Sequence, residues 1–81
     1  MNTITYKSDR WKSAAWRRGT RYYYCQLQQD LFGNWIVCKS WGDVRSKRGR
    51  EMIVNCTCYD DAVQIFSAVE KRRKYRKYEM V

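Results

Sequence analysis

Residues 20–42, TRYYYCQLQQDLFGNWIVCKSWG, hold two β-rich runs about one short turn. The first run, 20–29, places Tyr23, Cys25 and Leu27 on one face of a strand. Tyr22, Tyr24 and Gln26 fall on the other. The second run, 34–41, is equally rich in branched and aromatic residues. Between them DLFGNW supplies Gly33-Asn34 as punctuation, so the pair reads as a β-hairpin.

Working outward, GDVRSKRG at 42–49 is polar, basic and bounded by glycines, and reads as a loop. REMIVNC at 50–56 is a third strand. Thr57 then has the character of a helix cap, with Asp60 and Asp61 at the positive end of the helix dipole. Ala62, Ile65, Phe66 and Val69 follow at helical spacing as one apolar stripe. The helix is expected to run to about Tyr75, with Lys71, Arg72, Arg73 and Lys74 in its last turns. On this spacing Arg73 lies along the stripe while Lys71, Arg72 and Lys74 face water. Toward the N-terminus, residues 2–7 read as a short strand and residues 9–18 as an irregular connection or helical turn. The expected architecture is α+β: an antiparallel sheet of three to four strands with one C-terminal helix across one face. Residues 1–81 are expected to form a single domain, its core about 20–78.

Composition narrows the function. The chain has 81 residues, 17 Lys and Arg against 8 Asp and Glu, a net charge of +9 and no histidine. At this length there is room for one core. The 44% hydrophobic and 16% aromatic content argues against a disordered basic tail. The missing histidine removes the commonest acid–base and metal chemistry. No phosphate loop, serine-nucleophile elbow or spaced metal carboxylates are present, so no enzyme and no cofactor are expected. No apolar run approaches a membrane span, and the first twelve residues lack the apolar core of a secretory signal. Cys25, Cys38, Cys56 and Cys58 contain no CxxC. They read as free thiols of a cytoplasmic protein, not as a zinc site or disulfides.

The charge is not uniform. Residues 1–21 carry a net +5 and residues 70–81 a net +4, while 22–69 balance to zero. The neutral middle still has one basic cluster, Arg45, Lys47, Arg48 and Arg50. A basic, aromatic-rich domain of this kind suits a polyanion.

The stretch YYYCQLQQDLFGNWIVCKSWG, residues 22–42, resembles the WGR domain. That family has an aromatic strand, a DLFG-type turn, a Trp-bearing second strand and the Trp-Gly-Arg tripeptide. The resemblance extends over residues 20–78 and implies a small bacterial stand-alone member. It also implies a sheet with one helix laid across it, and nucleic-acid binding with the tripeptide Trp near a DNA end. Trp41 and Gly42 match the tripeptide, but Asp43 stands where the family has Arg. Arg45, Lys47, Arg48 and Arg50 are candidates to compensate. The candidate nucleic-acid-binding set is therefore Trp41, Arg45, Lys47, Arg48 and Arg50 in the loop region, with Arg72, Lys74, Arg76 and Lys77 at the helix end. Gly42 and Gly49 are expected to allow close backbone approach to a ligand. DNA is favoured over RNA.

Other readings compete at each position. Trp41 could equally be a structural sheet residue. Trp35 is assigned to the core. Tyr22 and Tyr24 could stack bases or simply pack on each other. Trp11 and Trp16 could join the basic surface or close one end of the core. The helix-end cations could serve only the dipole and solvation. For the whole chain, the alternative is an adaptor that docks an acidic protein partner.

Overall fold

The computed structural model describes residues 6–81. Five strands and one helix follow a 3-10 turn at Ser8–Arg10. The strands are β1 (Lys12–Arg18), β2 (Arg21–Gln29), β3 (Trp35–Asp43), β4 (Gly49–Asn55) and β5 (Glu79–Met80); the helix α1 spans Tyr59–Tyr75. They form one sheet in the order β4-β3-β2-β1-β5, with every neighbouring pair antiparallel. The class is the α+β arrangement expected, with more strands than the three to four foreseen.

The hairpin of β2 and β3 is central. Its turn is held by Asp30, whose Oδ1 accepts the N–H groups of Phe32 and Asn34, both at 2.9 Å. Gly33 sits at φ 82°, a conformation that favours glycine. Register pairs Tyr23 with Trp41, Cys25 with Lys39 and Leu27 with Val37. Directly opposed residues share a face, so these six lie on the side that α1 covers.

Tyr23, Cys25, Leu27 and Val37 are buried there with Ala62, Phe66 and Val69 of the helix. Ile65 is half-buried at the edge of the stripe. The helix begins against Trp35, which meets the Tyr59 ring edge-on, and ends over Tyr23. Trp35 is thus half-buried and packed against the core, not enclosed within it.

Two expectations are corrected. Residues 12–18 form a strand, not an irregular connection or helical turn, because the ladder with β2 runs from Lys12↔Leu27 to Arg18↔Arg21. Trp16 fills the core at 3% exposure, whereas Trp11 stays exposed and donates its indole N–H to Gln29. The helix cap is Cys58, not Thr57. Thr57 instead donates its N–H and hydroxyl to Asp61 Oδ2, so the acid closes the first turn from inside. Finally, most of the expected strand at 2–7 lies outside the described residues, and Tyr6 and Lys7 belong to no strand.

Candidate nucleic-acid interface

Beyond the end of α1 the covered face of the sheet opens into a pocket of about 530 Å³. Trp41 lies in its wall, stacked on Tyr23 at 5.8 Å with 12° between the planes. Arg73, in the last turn of the helix, places its guanidinium 4.1 Å from the centre of the Tyr23 ring and 4.8 Å from that of Tyr78. Its Nε is buried and has no hydrogen-bond partner among the described residues. Ring faces rather than acceptors hold the cation. Burial raises the Tyr23 pKa, with the Arg73 charge opposing, so the phenol stays neutral at physiological pH. Arg21, Tyr22, Lys39, Gly42, Asp43 and Met52 complete the lining.

The arrangement has a sequence cause. Trp41, Tyr23 and Trp16 sit in register across three strands. The helical stripe Ala62, Phe66, Val69 continues to Arg73 four residues on, where the apolar row ends in a cation. A Schellman turn then reverses the chain: Tyr78 N–H reaches Arg73 O and Lys77 N–H reaches Lys74 O. That reversal brings Tyr78 over Arg73 and lets β5 pair with β1.

Asp43 has a structural occupation. Its carboxylate accepts the Arg45 backbone N–H at 2.8 Å, the Arg45 guanidinium at 3.3 Å through both oxygens, and the Thr20 hydroxyl at 3.0 Å. These bonds hold its pKa down to about 2, Arg45 being the main cause. The pair makes Arg45 a loop-building cation as well as a surface one, although 75% of its side chain remains exposed.

The two glycines also change role. A Cβ on Gly42 would lie 2.8 Å from the Tyr22 hydroxyl, and one on Gly49 2.6 Å from it. The opposed pair Gly42↔Gly49 therefore seats the Tyr22 ring on the open face; the space expected for a ligand is filled from within. Tyr22 in turn stacks on Tyr24 at 5.1 Å.

Of the foreseen residues, Trp41 lies in the pocket, and Arg50 is its register partner on β4. Lys47 and Arg48 are exposed in the adjoining loop. Arg72, Lys74, Arg76 and Lys77 are exposed at the helix end, and none of them lines the pocket. The charged helix residue that does is Arg73, which sequence reasoning placed beside the apolar stripe and left out of the site. Tyr23, Tyr78, Arg21 and Lys39 were missed as well. Only the run of the stripe to Arg73 was a signal for any of them. Cys25 and Cys38 fall on opposite faces, and the Cys25 thiol is pushed up to about 11 by burial.

A family model, the WGR domain, matches residues 11–81. WGR domains are binding and regulatory modules associated with nucleic acid, not catalytic domains. No curated protein and no solved structure matches the chain. Among the described residues no helix is long and apolar enough to cross a membrane.

Proposed function

The chain belongs to the WGR domain family, and on that footing we propose that residues 1–81 act as one non-catalytic domain that binds nucleic acid, DNA in preference. The supporting observation is the pocket in which Trp41 stacks on Tyr23 beneath Arg73, beside a loop with the exposed cations Lys47 and Arg48. An exposed sugar or base at a strand end packs against the Trp41 ring edge. Arg21, Lys39 and Arg73 offer positive charge to the phosphate next to it. Lys47, Arg48 and Arg50 on one side, and Arg72, Lys74, Arg76 and Lys77 on the other, extend the phosphate track. Arg45 contributes less than its neighbours, because Asp43 already holds it.

Titration with blunt duplex, nicked duplex and single-stranded oligonucleotides tests this. With about four to six phosphate contacts the affinity falls with salt at a log–log slope of roughly −4 to −5. Reversing Arg48 and Arg50 to Glu weakens binding to every oligonucleotide. Trp41→Ala weakens binding to these oligonucleotides, all of which have ends, more than binding to a closed circular duplex without them. A flat salt response rules the reading out.

A further inference from the structure

β4 is the outer strand on one side of the sheet, and its edge carries backbone groups and apolar side chains that the proposed nucleic-acid binding does not use, although the basic loop before it is common to both. Two backbone bonds determine which groups face outward. Val44 donates its N–H to Thr20 O, and Cys56 donates its own to Trp35 O. Hydrogen-bonded pairs alternate along an antiparallel ladder. In register with Cys56, the backbone groups of Val54, Met52 and Arg50 therefore turn toward β3. Those of Glu51, Ile53 and Asn55 turn away from the sheet, and among the described residues no strand pairs with them.

The edge is also apolar. Met52, on the helix side, is 50% exposed, and Ile53, on the open side, is 63% exposed. Next to Ile53 the open face has a second pocket of about 310 Å³, with Tyr24, Gln26, Ser40 and Glu51 in its walls. Sheet edges are normally guarded by charge, proline or a bulge. Here Arg50 and Glu51 guard one half, and the Met52–Ile53 half is bare.

We infer that this edge takes up an extended peptide as a sixth, antiparallel strand. One apolar side chain of the peptide packs against Ile53 at the rim of that pocket, and its C-terminal end is acidic. The place of the acidic end follows from β4, which runs away from the basic loop. An antiparallel partner ends at that loop, where its carboxylates meet Lys47, Arg48 and Arg50. A second copy of this chain is the weaker occupant, since it would set +9 against +9.

The test uses the full chain and a synthetic peptide that alternates Val with Thr and ends in a run of Asp. A control peptide of equal charge carries Pro at alternate positions and cannot pair. Adding the first peptide slows amide exchange at Glu51, Ile53 and Asn55, by about tenfold or more near saturation. Ile53→Pro removes an N–H that β3 does not use, and weakens peptide binding at least about fivefold while duplex binding stays unchanged. Equal binding of the Pro-interrupted control overturns the inference, leaving charge attraction alone. Exchange that slows at the same amides as the free chain is concentrated, without peptide, overturns it in favour of self-pairing. Should Ile53→Pro fail to fold by circular dichroism, the exchange pattern of the unaltered chain decides.

Discussion

At the scale of single residues, glycine in the Trp-Gly pair acts through a neighbour. Tyr22 lies across Gly42 and Gly49, so the pair of glycines forms the seat of an aromatic ring on an otherwise open sheet face. A methyl group at 42 meets the Tyr22 hydroxyl well inside contact distance, and the ring must swing off its stack on Tyr24. Gly42→Ala is expected to cost about 1–2 kcal/mol, at the low end for overpacking because the ring is only half-buried. Tyr22→Phe removes the nearest atom but leaves the ring carbons at 3.1 and 3.2 Å, so it restores part of the loss. Urea unfolding of the four proteins in a double-mutant cycle measures this coupling. Two losses that simply add would show that Gly42 serves something other than the Tyr22 seat. Asp43 shows the same principle: its carboxylate ties Thr20, Arg45 and the loop together.

At the scale of elements, the end of α1 is the most consequential junction. Its Schellman turn places Lys77 at φ 62°, where a side chain crowds the backbone and glycine does not. Lys77→Gly should therefore stabilise the fold by about 0.5–1 kcal/mol once the looser unfolded chain is counted, a rise in Tm of roughly 2–8 °C. Calorimetry checks it, and a fall in Tm would mean that the Lys77 side chain contributes packing or charge that outweighs its strain. The elements differ in how plainly they could be read. β2, β3, β4 and α1 were legible because each carries its own periodicity, at 23/25/27 in the strand and 62/66/69 in the helix. β1 was not: KSAAWRR has one large apolar residue, Trp16, and the other positions on its face are Ala14, too small to mark a face, and the cations Lys12 and Arg18. β5 has two residues and exists only because the turn at Lys77 returns the chain to β1. The pocket was half legible. Trp41 announced itself through the tripeptide, but Tyr23, Arg73 and Tyr78 meet only where the helix stops, a fact of tertiary geometry.

At the scale of the molecule, charge sets two opposed responses to salt. Seventeen cations face eight anions, and Asp43–Arg45 is the one salt bridge among the described residues. A free chain so unbalanced repels itself, and screening relieves that strain on the compact state. Raising salt from 0.1 to 0.2 M should thus raise the Tm of the free chain by a few degrees at most, since the Debye length is already about 10 Å. The complex with an oligonucleotide should do the reverse. A log–log slope near −4 to −5 lowers the binding constant about 16- to 30-fold over that doubling. At oligonucleotide concentrations well above Kd this removes about 1.5–2 kcal/mol of ligand-derived stability, or roughly 6–15 °C for a domain of this size. Thermal scans of the free and bound chain across a salt series should therefore converge, one rising gently and the other falling steeply. Two curves that rise in parallel would mean that the bound state neutralises few of these cations. The surplus charge would then belong to solvation, and the basic loop and helix end would lose their assigned role.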